Sequence, residues 1–261
     1  MTPRLFVEDD LAAGGEASLS DAQVHYLRQV LRRTDGAALR LFNGRDGEWA
    51  GAFQGQGKKS GVAVIAEQLR EQDREPDVWL CFAPVKKARI DFVAEKATEL
   101  GVALLQPVLT QHTMVERVNV ERLRANAVEA AEQSERLSVP QVRAPVSLAG
   151  LLSDWPGQRR LLMCDETGHG EPIARALAGL DENAKQAPWA ILVGPEGGFD
   201  RVELEALRRM KDVTAAGLGP RILRADTAAL AALACWQALV GDWQRPTPRL
   251  AADYRTSRGL V

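Results

Sequence analysis

From Val78 onward, short apolar runs alternate with stretches of helical periodicity, and few folds accommodate that alternation. The runs Val78–Val85, Val102–Leu109, Arg160–Cys164, Trp189–Val193 and Val213–Ala216 have the length and apolarity of strands covered on both faces. Between and after them, Ile90–Leu100, Val120–Leu137, Pro172–Leu180, Arg201–Lys211 and Thr227–Asp242 repeat apolar residues at three- and four-residue spacing, as helices with a buried stripe do. Strand followed by helix, repeated, predicts an α/β class with a mostly parallel sheet. Ligands of such sheets bind outside the carboxyl ends of the strands, so the segments that follow each run are the ones to inspect.

The preceding residues read differently. Ser20 is placed to cap a helix over Asp21–Arg33, in which Val24, Leu27, Val30 and Leu31 share a face. Ala38–Phe42 and Glu48–Phe53 read as strands flanking the hairpin signal Asn43-Gly44-Arg45-Asp46-Gly47, and Gly61–Ala66 adds a third. A small β-barrel closes such short strands without leaving an exposed edge. Charge becomes dense from Glu67 to Asp77 and ends in Glu75-Pro76, as in a linker. The expected division is a small domain over 1–72, a linker over 73–77, an α/β domain over 78–244 and a basic tail over 245–261.

A net charge of −2 argues against a general nucleic-acid coat, so any RNA contact has to be a local basic surface. The opening residues turn acidic at once, unlike a secretory signal, and the longest apolar run, Ala228–Trp236, is far short of the roughly 20 residues of a membrane span. A cytoplasmic protein without a membrane segment is expected. Cys81, Cys164 and Cys235, odd in number and set among apolar residues, read as buried free thiols. His25 is expected to pack or cap within the small domain, with His112 and His169 alone in loops, and no metal constellation is present.

Two segments carry the chemistry. Ile191-Leu192-Val193 runs into Gly194-Pro195-Glu196-Gly197-Gly198-Phe199, a glycine-rich turn that lets backbone N–H groups approach a ligand closely. It lacks both the dinucleotide fingerprint and the lysine of a phosphate loop, so taken alone it fits either a nucleoside pocket or a tight turn. The second segment, Leu218-Gly219-Pro220-Arg221-Ile222-Leu223-Arg224, also follows a strand and leads into the last helix, with Asp226 or Thr227 as its expected cap.

Together with Arg4-Leu5-Phe6-Val7, His25-Tyr26-Leu27-Arg28-Gln29-Val30-Leu31-Arg32, Lys86, Glu95 to Val102 and Glu129 to Arg136, these segments resemble the RsmE-type small-subunit rRNA uridine methyltransferases of the SPOUT superfamily. The family's Arg-Ser is His112-Thr113 here, and its Thr-Glu-Thr-Ala is Ala225-Asp226-Thr227-Ala228. The resemblance implies a PUA-like N-terminal barrel and a C-terminal α/β domain tied into a trefoil knot. It implies S-adenosylmethionine (SAM) held by Val193, Gly194, Glu196, Gly197, Gly198, Leu218, Gly219, Ile222, Leu223, Arg224, Thr227 and Ala228. It further implies a homodimer, to which Leu230, Leu233, Trp236 and Leu239 of the last helix are candidate contributors, and methylation at N3 of a uridine in 16S rRNA of the small ribosomal subunit.

Because N3 carries a proton, the reaction needs a base nearby or positive donors at the uracil oxygens. Arg224 and Arg136 are the candidate charge stabilisers, and Glu132 and Asp226 the candidate carboxylates. Candidate RNA contacts are Arg4, Arg28, Arg32, Lys58, Lys59, Lys86, Lys87, Arg89 and Arg221. A related methyltransferase acting on tRNA or a ribose oxygen, or a noncatalytic ribosome-assembly protein, stays open at this level.

Overall fold

The computed structural model describes residues 2–245 apart from 58, 86 and 116; Lys58, Lys86 and the tail from 246 lie outside the described residues. The first of its two sheets comprises β1 (Arg4–Phe6), β2 (Glu16–Leu19), β3 (Ala38–Phe42), β4 (Glu48–Gly55) and β5 (Gly61–Arg70), in the order β1-β3-β4-β5-β2. The β3–β4 hairpin turns on Asn43, whose Oδ1 accepts from the Arg45 and Asp46 amides, and on Gly47, where a Cβ would fall 2.1 Å from the Arg70 carbonyl oxygen. Leu5, Leu27, Leu39, Leu41, Phe53 and Ile65 fill the interior. The expected helix over Asp21–Arg33 is shorter: α1 (Asp21–His25), opened by a Ser20/Gln23 capping box, passes into one π-helical turn over Tyr26–Val30 and ends before Arg32, whose φ is 54°.

The expected barrel closure is not made by strand pairing, since β1 and β2 lie at opposite ends of the sheet order. β1 instead docks on the helix α3 (Val120–Ser134), where the Glu132 carboxylate accepts the Phe6 N–H at 3.0 Å. An edge left unpaired in one domain is thus covered by the other.

The second sheet is parallel throughout. Its strands are β6 (Val78–Phe82), β7 (Leu104–Leu109), β8 (Gln141–Val142), β9 (Val146–Ser147), β10 (Arg160–Cys164), β11 (Glu171–Pro172), β12 (Trp189–Val193) and β13 (Val213–Gly217). The order is β11-β13-β10-β12-β6-β7-β8, with β9 also pairing β7. Alternation along each strand feeds two cores. Leu80, Leu162 and Ile191 face the helices α2 (Lys87–Glu99), α3, α5 (Ile173–Ala178) and α8 (Ala225–Leu239). Cys81, Met163 and Leu192 face α4 (Leu148–Ser153) and α7 (Arg201–Arg209). The short α6 (Glu182–Gln186) completes the chain order, and its Ala184 carbonyl accepts the Trp189 indole N–H. Leu233 and Trp236 are spent in the core, so they offer nothing to a partner's surface. No helix among the described residues is long and apolar enough to cross a membrane. The three cysteines are free; burial pushes the Cys81 and Cys164 thiols up to about 12, and Cys235 is half-buried.

The domain joint corrects three expectations. Arg4 is not an RNA contact: its side chain is 6% exposed and donates to Glu48 at 2.5 Å and to the Ala131 and Arg136 carbonyls. Arg70 binds the same Glu48 and the Glu135 carbonyl at 2.9 Å. Two arginines of the small domain therefore satisfy the orphan carbonyls at the end of α3, where the helix dipole favours cations. Arg136 is equally spent, on the Thr98 and Val102 carbonyls at the end of α2 and on Glu75. Arg136 and Glu132 thus sit beside the amino ends of β6 and β7, the end of the sheet opposite to its ligand-binding edge within this chain.

Candidate functional site

At the carboxyl end of the parallel sheet, the segments after β6, β7, β10, β12 and β13 come together with the amino ends of α2, α3 and α8. The strands that carry the two glycine segments are not adjacent, because β10 lies between them. Its following loop, Asp165 to Gly170, is therefore a third wall that sequence reasoning missed. The signal was present: a strand end followed by Asp165, Glu166 and two glycines resembles the other two segments.

Backbone packing fixes these walls to one another. Gly198 has φ 72°, a left-handed conformation that favours glycine, and a Cβ there would lie 2.0 Å from Glu166 Oε1, so the carboxylate would have to shift. At Gly194 a Cβ would meet the Phe199 ring at 2.9 Å; the ring folds back over the strand end into the α7-side core. The Asp165 amide donates to the Ala216 carbonyl at 2.9 Å, joining the β10 and β13 loops. Partial burial and the neighbouring Asp165 push the Glu166 carboxyl above its ordinary value, against the Phe199 amide that donates to it.

The segment after β7 closes the site from the other side. Against the expectation that His112 sits alone in its loop, its Nδ1 lies 3.0 Å from the carbonyls of both Gly197 and Gly198. The Gln111 amide donates to Glu203 Oε1, and Glu203 also completes the capping box with Asp200 that starts α7. In the β13 segment, Leu218 and Leu223 pack into the core while Gly219, Arg221, Ile222 and Arg224 are exposed. Arg224, rather than Asp226 or Thr227, occupies the cap position of α8 and makes no capping side-chain bond there. Asp226 lies in the first turn and faces Arg89 of α2 at 3.8 Å, which brings the start of α2 to the same crevice.

Of the remaining expected RNA contacts, Lys59 and Arg28 share a surface cavity of about 300 Å³ in the small domain with His25, which is exposed rather than packed. Arg32 is exposed on the same domain, whereas Lys87 and Arg89 open α2 and Arg221 stands at the crevice. Val193 and Ala228 are buried beneath the loops, with Glu196, Gly197 and Thr227 exposed. No group of three His, Cys, Asp or Glu among the described residues is arranged to hold a metal ion.

Comparison with known proteins accords with this geometry. Residues 73–237 match the RNA methyltransferase domain family, and residues 19–66 match the RNA methyltransferase PUA domain. A Rickettsia conorii protein named ribosomal RNA small subunit methyltransferase E is 34% identical, over 88% of this chain and 93% of its own length. The Neisseria gonorrhoeae protein of the same name, solved bound to S-adenosyl methionine, is 28% identical with a TM-score of 0.81, covering 93% of this chain and 100% of that one. A Legionella pneumophila methyltransferase solved with SAM is 27% identical with a TM-score of 0.81, covering 93% and 99%. With a PUA domain followed by an α/β methyltransferase domain, and a curated relative matched over nearly its full length, the chain belongs to the RNA methyltransferase family of the ribosomal RNA small subunit methyltransferase E type.

Proposed function

We propose that this protein transfers the methyl group of SAM to N3 of a uridine in 16S rRNA, acting in the cytoplasm as a homodimer. The observation that carries the reading is the crevice itself: three loops pressed together at glycines, in a chain that relatives solved with SAM cover almost completely. The residues fit such a ligand at Gly219, where φ is 99° and no atom beyond its chain neighbours lies within 4 Å of the place a Cβ would take. Val193, Gly194, Glu196, Gly197, Gly198, Leu218, Gly219, Ile222, Leu223, Arg224, Thr227 and Ala228 are the residues proposed to hold SAM. When bound, it supplies an electrophilic methyl group, so the chain's own task is to orient the uracil and relieve N3 of its proton.

Arg224, exposed at the start of α8, is proposed to stand against the negative charge that develops on the uracil oxygens. Asp226, held by Arg89, is the carboxylate placed to take the proton directly or through a water. The small domain over 1–72, joined through 73–77, holds the RNA through Arg28, Arg32 and Lys59, with Lys87, Arg89 and Arg221 guiding the strand at the crevice. After β13 the chain packs α8 on α2, β6 and β12, and a trefoil knot through these loops is part of the proposal.

Mass mapping of 16S rRNA from a strain lacking the gene tests the reading. The expected result is the loss of one N3-methyluridine, restored by the wild-type gene. An unchanged map refutes it.

A further inference from the structure

A second cavity, of about 230 Å³, opens between the amino ends of α2 and α3 beyond the end of β6. Val85, Ile90, Val118 and Leu123 give it apolar walls; Asp91, Asn119 and Arg122 supply its polar edge. It is tied to the methyl-donor crevice from both sides. Arg89, next to Ile90 and Asp91 on α2, faces Asp226 of α8. The segment that starts at His112, against Gly197 and Gly198, also supplies Val115, Arg117, Val118 and Asn119 to the cavity wall.

We propose that this cavity receives the acceptor base, flipped out of the RNA, and that it is built for a pyrimidine with keto oxygens. The inference rests on the methyltransferase reading above. An enzyme that acts on a base atom has to take that base out of the stack and hold it by its faces and its edge. The apolar walls suit the two faces of a pyrimidine ring. The edge presents donors: Asp91 is already engaged by Arg122 through Nε at 2.9 Å and through Nη2, and no hydrogen bond among the described residues uses Arg122 Nη1.

Asn119 Oδ1 is taken by the Arg122 amide at the cap of α3, which leaves its side-chain NH2 to donate. Donors match the O2 and O4 of uracil and mismatch the exocyclic amine of cytosine. The amino ends of two helices, 13 and 15 residues long, add positive potential where an N3-deprotonated uracil carries its charge. Beside Arg117 and Arg122, the lining holds five apolar side chains and the Asp91 carboxylate, which suit the faces of a ring better than a phosphate.

The test uses the full-length protein, SAM, and small ribosomal subunits from a strain lacking the gene. Val118→Trp fills the cavity, and Asn119→Asp keeps a good helix cap while replacing the donor with a negative charge. The expected result for V118W is an about hundredfold loss of single-turnover methyl transfer, the scale of misplacing a reacting group. N119D, whose fold is preserved by its cap, should lose about tenfold or more. Both should bind SAM in calorimetry as the wild type does. A parallel loss of SAM affinity would assign the cavity to the cofactor and overturn the proposal, as would wild-type transfer rates in N119D. Wild-type protein that binds SAM but methylates nothing in these subunits would overturn the parent reading along with this one.

Discussion

Replacing Arg4 with Met tests whether the joint between the domains is held by charge-assisted caps rather than by apolar area. The side chain is 6% exposed and spends its donors on Glu48, at 2.5 Å, and on the Ala131 and Arg136 carbonyls, with its guanidinium 3.8 Å above the Phe42 ring. Methionine keeps much of the packing and removes every polar contact. Removing one partner of a buried ion pair costs about 3–5 kcal/mol, mostly because the other charge is stranded. Here the stranded group is Glu48, 2% exposed, and burial alone would push its carboxyl up; Arg4 and Arg70 together hold it below the ordinary carboxylate range. Arg70 remains at 3.0 Å and Arg40 at 4.0 Å, so the loss belongs at the lower end, about 3 kcal/mol.

Urea unfolding followed by circular dichroism reads the change as a midpoint shift of roughly 1 M, given a slope of about 3 kcal/mol/M. The double variant R4M/E48Q removes the stranded charge and should recover about half of the loss. A loss under about 1 kcal/mol, or a double variant no more stable than R4M, would refute the argument that the cost lies in the unpaired carboxylate.

Three further outcomes follow from the same structure. Burial raises the Glu132 carboxyl from 4.5 to about 7, despite the Phe6 amide that donates to it and the charge of Arg4. Between those values the folded protein holds a proton that the unfolded chain has lost, so stability present below 4.5 is lost as pH rises through about 7, by at most about 1.4 kcal/mol per pH unit. Glu132→Gln should flatten the fall of Tm over that range, and an unchanged pH profile would count against it. Gly198→Ala forces φ 72° on a residue with a Cβ that meets Glu166, at a cost of about 1–2 kcal/mol in the loop; SAM affinity measured by calorimetry should fall about tenfold, and an unaltered Kd would sink the loop assignment. RNA affinity should fall linearly with the logarithm of salt concentration, with a slope reduced by about one in Arg28→Ala and again in Lys59→Ala, while SAM affinity stays level; a slope that survives both changes would remove the small-domain cavity from the RNA path.

Much of the α/β domain was legible because its signal is local. Val78, Leu80 and Phe82 against Trp79 and Cys81 show both faces of a strand buried, and the five main strands begin and end within a few residues of their apolar runs. The glycine segments were legible as tight turns for the same reason, since a strand end followed by Gly-Pro-Glu-Gly-Gly has few alternatives to a turn; the segment alone leaves open whether such a turn holds a ligand. Strand order was not legible. That β10 separates β12 from β13, and so makes Asp165 to Gly170 a wall of the site, depends on a crossover that no window of sequence encodes. The helix at Asp21 was overrun by eight residues because its apolar spacing continues smoothly through a π-turn, where the backbone changes while the pattern does not.

The misplacement of Glu132 and Arg136 has the same origin and shows what a motif leaves unsaid. Both lie near the carboxyl end of α3, and a helix that crosses over between parallel strands runs antiparallel to them. Its amino end, with Asn119 and Arg122, is therefore at the ligand edge of the sheet, and its carboxyl end is 15 residues away at the opposite edge, about 22 Å at 1.5 Å per residue. A polar stripe spelled Glu129, Glu132, Gln133, Arg136 looks the same in either position. What the stripe supplies at its actual position is a docking face: Glu132 takes an edge amide of β1, and the carbonyls that follow receive Arg4 and Arg70. The end of α3 that sequence reasoning passed over, Asn119 to Leu123, is the end that borders the crevice, which is why the acceptor pocket is sought there and the joint is tested for stability.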